Sequence, residues 1–326
     1  MVNGPARLGP VATWFPATSA RVATLAELAE LPAHRREHAL ALGIETVRTA
    51  GELSEVDLAA GAATAALAEA GLEATDVDAL LLVTGRAPQY LLASETTRLQ
   101  HRIGATRAFT AGVGDLGCVS VSAALTLAAA LVRADAGCRA VLVVAAAKTP
   151  TRTRYRPPMT LLGDGAAALL VTASGGRWEF VDQILHSDGK YADLFRIDYR
   201  DTPSAAWTEE CTDEPTYSFR LAVESKKRFD VVIPELLDRN GVRLGSVGPI
   251  LMQNLSGGAF AFWEEALDTT IDAACRGNLA AYGHLGSVDM LVNLEAAAAT
   301  RASGEYALLL NSSPVAAWSA ALMRRV

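Results

Sequence analysis

The sequence predicts an α/β protein in which buried strands alternate with helices. Short apolar runs of strand length, bounded by turn residues, recur along the chain, and longer segments of helical character lie between them. Composition agrees. With 51% hydrophobic and only 20% charged residues over 326 positions, the chain buries a large core and fits neither disorder nor a coiled coil.

In the first half, strands are expected at ALLLVTG (79–85), RAFTAGVG (107–114), AVLVVAAA (140–147) and AAALLVTAS (166–174). Helices are expected between them at 54–71, at 94–104, where Ser94 and Gly104 suit the two ends, and at 118–137. After about residue 175 the pattern repeats with different residues. WEFVDQILHSDG reads as a strand and 218–241 as an amphipathic helix, followed by GPILMQN (248–254), helices over 261–278 and 288–300, and the strand EYALLLNSS (305–313). Two units are expected, 1–174 and 175–326. Residues 193–217 are polar and aromatic without a period, and read as an insertion near a site or a dimer surface.

Several function classes drop out. The 29 Lys+Arg are scattered among 36 Asp+Glu, for a net charge of −7, which opposes a nucleic-acid role. The longest apolar runs, 123–132 and 140–147, fall short of the roughly 18 residues a membrane helix needs, so no membrane association is expected. The start, MVNGPARLGPVATWF, does not read as a secretion signal, and the expected location is cytoplasmic. A GxxxxGK loop is missing and no metal-ligand cluster is picked out, so no cofactor is expected. The cysteines at 118, 138, 211 and 275 form no CxxC pair and read as free thiols.

Cys118 follows a strand and turn (AFTAGVGDLG) and opens a helix apolar on nearly every face. A thiol at a buried helix start is stabilised as thiolate by the helix dipole and unpaired N–H groups, which makes it a nucleophile. On position alone, a small buried hydrophobe accounts for it equally well. Cys138, in a loop, Cys211, in the insertion, and Cys275, on a helix, are explained by packing or exposure, and His34, His38, His101 and His186 read as surface or core-edge residues.

The ordered combination of this thiol-opened helix, the following strand and the turn GDGAAA (163–168) resembles the 3-oxoacyl-carrier-protein synthase III branch of the thiolase superfamily. In the C-terminal half, LLDRNGVRLGSVGPILMQN, AYGHLGSVDMLV and EYALLLNSSPVAAWSAALMRR follow the family's order, so the resemblance covers nearly the whole chain. It implies the five-layer αβαβα sandwich of that superfamily, with two pseudo-duplicated halves and a homodimer. Condensing members carry a His in the motif HQAN and an Asn in a later YGN turn. Here Gln253 stands at the first position, beside Asn254 and Ser256, and His284 at the second. Asp289 follows five residues later, a pattern similar to an offshoot of natural-product acyltransferases that use a Cys-His-Asp set. The resemblance therefore implies that Cys118 accepts an acyl group from a thioester, His284 deprotonates an acceptor hydroxyl or amine, and Asp289 orients the imidazole.

Two further departures follow from the same comparison. The family's glycine loop, GGGF before a Trp, supplies an oxyanion N–H. Here the run is NSSPVAAW (311–318), with Pro314 near the donor position, so an N–H of Ser313 or Val315 must substitute or the site is slow. The adenine-clamping segment WxxTRTGI reads EHALALGI (37–44), which favours a donor bound to acyl carrier protein over a CoA thioester. Basic residues that could meet an acidic carrier lie at Lys148, Arg152, Arg154 and Arg156, and at Lys226, Lys227 and Arg228. Tyr90, Leu91 and Leu92 are candidates for shaping the acyl pocket, from a partner subunit. The leading expectation is a ping-pong acyltransferase acting on a sugar- or cyclitol-type acceptor. A decarboxylative starter condensing enzyme and a catalytically silent partner subunit are the alternatives.

Overall fold

A computed structural model describes residues 4–85, 87–315 and 317–326. The strands of the N-terminal half are β1 (Ala6–Leu8), β2 (Ala12–Trp14), β3 (Ser19–Arg21), β4 (Thr46–Arg48), β5 (Ala79–Val83), β6 (Phe109–Val113), β7 (Ala140–Ala147), β8 (Tyr155–Arg156), β9 (Thr160–Leu161) and β10 (Gly165–Thr172). Those after it are β11 (Trp178–Ser187), β12 (Phe195–Arg196), β13 (Glu210–Cys211), β14 (Leu251–Met252), β15 (Tyr306–Ser313) and β16 (Ala317–Arg325). The α-helices are α1 (Ala26–Ala29), α2 (Ala33–Leu40), α3 (Glu55–Ala70), α4 (Glu95–Ile103), α5 (Ser120–Ala134), α6 (Leu221–Arg239), α7 (Gly257–Leu267), α8 (Ala273–Tyr282) and α9 (Asp289–Ala298).

The hydrogen-bonded order β14-β15-β16-β11-β1-β10-β7-β5-β6 exposes the duplication. Read outward from the centre, the N-terminal half runs β1-β10-β7-β5-β6 and the C-terminal half β11-β16-β15-β14. The senses match as well. The first two junctions of each series are antiparallel, and β7 with β5, like β15 with β14, is parallel. The C-terminal counterpart of β6 shrinks to one parallel bridge between Ile250 and Ile271.

Helices α3 and α4 cover one face of the N-terminal sheet, through a core of Leu58, Ala62, Ala63, Leu80, Leu82 and Leu99. On the other face α5 packs against β5, β7 and β10 and also touches β11, while α9 lies on β14 and β10, and α6 packs outside β16. This is the expected αβαβα layering. Strands β7 and β10 are buried on both faces, which is why their sequences lack alternation.

Two expectations need correction. The segment 261–278 is two helices: α7 ends where Asp268 turns left-handed (φ 46°), Ile271 makes its bridge, and Asp272 caps α8 through Ala274 N–H. The polar run Asp268-Thr269-Thr270 and the demand for a strand-like bridge overrule helical continuity. The helix at Cys118 begins with a 3-10 turn, Gly117–Val119, and Gly117–Ala134 makes 18 residues of mean hydropathy 1.7, long and apolar enough to cross a membrane. Its apolarity serves packing between two sheet layers: Val121, Ala124, Leu125, Ala128, Ala129 and Val132 are buried in the main core.

Candidate active site

Because the two halves share one topology, α5 and α9 occupy equivalent positions, and the 3-10 turns that open them, Gly117–Val119 and Gly286–Val288, touch. The chain reaches Cys118 through two left-handed residues, Asp115 (φ 68°) and Gly117 (φ 56°). A non-glycine residue in that region stores strain, which is the cost of so abrupt a turn from strand to helix.

The structure brings the three sequence-predicted residues into one line. Cys118 Sγ lies 3.4 Å from His284 Nε2, and His284 Nδ1 lies 2.6 Å from Asp289 Oδ2. All three are buried. Asp289 accepts two further hydrogen bonds, from Leu285 N–H (2.9 Å) and Asn254 N–H (3.1 Å). Its carboxylate is thereby fixed on the imidazole.

The GDGAAA motif holds the histidine from behind. His284 N–H donates to Leu161 O (2.9 Å) and Gly163 N–H donates to His284 O (3.0 Å), so the His284 backbone is paired on both sides. Only glycine fits at 163, since a Cβ there would stand 2.0 Å from Tyr282 O. Asp164 anchors the turn, accepting from Ala50 N–H, from Thr149 N–H and Oγ1, and from both terminal nitrogens of Arg154.

The charges of this line depend on one another. Burial opposes a charge on His284, but the Asp289 carboxylate and the Cys118 sulfur outweigh it and raise the imidazole to about 9. Burial likewise opposes a thiolate at Cys118, and the neighbouring imidazolium overcomes that, holding the thiol below its ordinary value. Each charge thus favours the other, so the electrostatics run in the direction of a thiolate–imidazolium pair. Burial pushes Cys275 up to about 12, and burial with nearby carboxylates raises Cys138 and Cys211. Those three remain thiols.

Two cavities meet at this line, with Cys118, His284, Arg156, Ser313 and Pro314 in the walls of both. The larger, about 770 Å³, is shaped by Leu91 and by Phe195, Tyr199, Trp207 and Glu209 from the insertion. The smaller, about 510 Å³, is mostly apolar, with Met159, Phe219, Phe262 and Trp263. Arg156, read from sequence as a surface cation, is instead turned inward. It donates from Nε and Nη2 to Glu209 at 2.6 and 2.5 Å and lies over the Phe195 ring. Its neighbours are also committed, since Arg154 pairs with Asp164 and Lys148 Nζ donates to Gly51 O and Leu53 O. The first basic group is therefore mostly internal wiring.

The remaining candidates separate. Gln253 donates from Nε2 to Ser312 O (2.8 Å) and Oγ (2.9 Å) and accepts Ser312 N–H at Oε1 (2.5 Å), so its amide is fully engaged. Asn254 exchanges side-chain hydrogen bonds with Asn293. Ser256 caps α7 through Ala259 N–H. Leu91 lines the larger cavity of its own chain, whereas Tyr90 is 58% exposed, beneath Arg98. On α6, Lys226 pairs with Asp230 and Arg228 with Glu224 and Asp188, while Lys227 is exposed. His38 is a surface residue that also rims the smaller cavity. Sequence reasoning missed Glu209 as a site residue, and Asn311, whose Nδ2 donates to Cys118 O at 2.8 Å. Both act across a separation that no local pattern marks.

A sequence profile described as 3-Oxoacyl-[acyl-carrier-protein (ACP)] synthase III matches residues 115–189. The beta-ketoacyl-[acyl-carrier-protein] synthase III of Cereibacter sphaeroides is 37% identical over 164 residues, 48% of this chain and 50% of the relative, so the chain spans about half the length of the curated relatives it first matches. That of Rhodospirillum rubrum is 31% identical over 243 residues, 72% of each chain. Among solved structures, 3-oxoacyl-(acyl carrier protein) synthase III, FabH, from Pseudomonas aeruginosa PAO1 has a TM-score of 0.81 at 19% identity over 98% of both chains. ChlB3, described as an acyltransferase, reaches 0.84 at 23% identity over 99% of this chain and 98% of its own. At those identities the structural likeness concerns the fold, which is the thiolase-like one expected. Sequence identity sustained over 72% of a curated relative is what places this chain in the 3-oxoacyl-[acyl-carrier-protein] synthase III family.

Proposed function

We infer that this chain is a ping-pong acyltransferase that loads an acyl or aryl group onto Cys118 and passes it to a hydroxyl or amine of a natural-product acceptor. The observation that carries the reading is the buried line Cys118–His284–Asp289, at 3.4 and 2.6 Å. The Cys118 thiolate attacks the thioester carbonyl, and collapse of the tetrahedral intermediate expels the donor thiolate, which takes the proton of His284. Acylation also removes the sulfur charge that helped hold that proton. Neutral His284 then deprotonates the acceptor as it attacks the acyl-Cys, and departure of the Cys118 thiolate restores the ion pair. Asp289 fixes the tautomer and stabilises the cation.

Decarboxylative condensation needs a group that polarises a malonyl thioester carbonyl. Gln253, at the family's His position, is fully occupied by Ser312. That favours transfer without decarboxylation, and the acyltransferase description of ChlB3 is in keeping with it. The donor is a carrier-protein or small thioester, and Lys226 and Lys227, the residues for docking a carrier, follow directly on Ser225, which lines the smaller cavity with Leu221 and Ala222 of α6. The working unit is a cytoplasmic homodimer, each protomer composed of halves 1–174 and 175–326.

The test is intact-protein mass spectrometry of wild type and His284→Ala with acyl-carrier-protein and N-acetylcysteamine thioesters, followed by hydroxyl and amine acceptors. The wild type gains a Cys118 adduct that acceptor removes, whereas the variant retains whatever adduct it forms. Carbon dioxide release from malonyl thioester would favour the condensing reading. No adduct from any donor would favour a silent partner subunit, the reading that Pro314 suggests.

A further inference from the structure

An acyl-Cys mechanism passes through an oxyanion that needs two donors, and losing one typically costs about 10²–10³ in rate. One is the Cys118 N–H, in the first turn of its helix, where N–H groups lack intrahelical acceptors. The second must come from the hairpin Ser313–Val315, where Ser313 and Pro314 share both cavity walls with Cys118 and Val315 shares that of the larger cavity. Among the described residues of that turn, no main-chain N–H is left for the site. Pro314 has no N–H. Val315 N–H donates to Ser313 Oγ at 3.3 Å. Successive N–H groups of a strand point to opposite sides, and that of Ser312 is taken by Gln253 on the β14 side, so that of Ser313 faces its β16 partner Ala317.

The Ser313 side chain remains. It is buried, and residues two apart on a strand share a face, so it lies on the face from which Asn311 reaches Cys118 O. A Cβ on Gly117 would stand 2.4 Å from Ser313 Oγ, so the hydroxyl sits directly against the peptide that leads into Cys118. By accepting from Val315, Oγ keeps its own proton for another acceptor. We propose that the hydroxyl of Ser313 is the second oxyanion donor, a side chain replacing the main-chain donor that Pro314 removes. The assignment rests on the acyl-transfer reading above.

The experiment is single-turnover acylation of Cys118 by N-acetylcysteamine thioesters of acetate, butyrate and benzoate and by their carrier-bound forms, set beside alkylation by iodoacetamide, which forms no oxyanion. Ser313→Ala lowers the acylation rate about 10²-fold and leaves alkylation within twofold. Ser313→Thr, which keeps the hydroxyl, stays within tenfold of wild type. Ser313→Ala combined with Pro314→Gly, which supplies an N–H, recovers at least tenfold over Ser313→Ala alone. Acylation of Ser313→Ala at the wild-type rate would overturn the assignment, as would alkylation falling in parallel with acylation. Wild type that iodoacetamide labels but no thioester acylates would overturn the acyl-transfer reading itself.

Discussion

At the scale of single residues, the reactivity of Cys118 is a property of its neighbours. Its thiol is held below the ordinary value by an imidazolium that Asp289 keeps protonated to about 9. On the proposed acyl-transfer reading, loading needs thiolate as nucleophile and imidazolium as acid. Its rate therefore rises as pH climbs through the lowered Cys118 value and falls as pH passes about 9, where His284 loses its proton. Asp289→Asn removes the charge that raises His284, so the falling limb moves down by about one to three pH units. A pH profile of adduct formation measures this, and an unmoved falling limb would contradict the assignment of that limb to His284. Cys118, His284 and Asp289 were legible because family motifs mark their positions. Arg156 and Glu209 were not, because a cation 53 residues from its carboxylate looks like any solvated charge until the chain is folded.

Elements succeed or fail on local backbone demands. At Gly163 the requirement is space: Gly163→Ala drives a Cβ into Tyr282 O and disturbs the pairing that holds His284. The expected cost is about 1–3 kcal/mol in urea unfolding, accompanied by a loss of adduct formation that a remote variant of equal stability does not show. At Asp268 the requirement is conformation, because φ 46° strains an L residue. Asp268→Gly is expected to add about 0.5–1 kcal/mol without altering adduct formation, and urea unfolding of the two chains checks it. The strands at 140–147 and 166–174 and the helices at 54–71 and 94–104 could be read because runs and caps are local signals. Ser54 forms a reciprocal capping box with Asp57, and Gly104 ends α4 left-handed. The break between α7 and α8 could not, since its cause is the bridge from Ile271 to Ile250, a partner supplied by the fold.

For the molecule as a whole, the unpaired edge is informative. Strand β6 ends the sheet, with Phe109 63% exposed, and Tyr90 and Leu91 nearby in sequence to β5 are exposed as well. Exposed apolar edges invite pairing. Light scattering on the intact chain is expected to give twice the 34.2 kDa protomer mass, and Phe109→Asp to shift it toward the monomer. A wild-type monomer at micromolar concentration would refute the homodimer. What the sequence determined by itself is the α/β class, most strands and helices, and, through its ordered motifs, the family, with Cys118, His284 and Asp289 as the candidates that the fold brings together. Runs, caps and motif order are properties of neighbouring residues and survive in one dimension. Only the tertiary structure decided that α5 and α9 start side by side, that Gln253 is bound to Ser312, that Arg156 points inward, and that Ser313 faces the turn at Cys118. Each of these joins residues from distant parts of the chain, and a contact between them exists only once two copies of one topology have folded against each other.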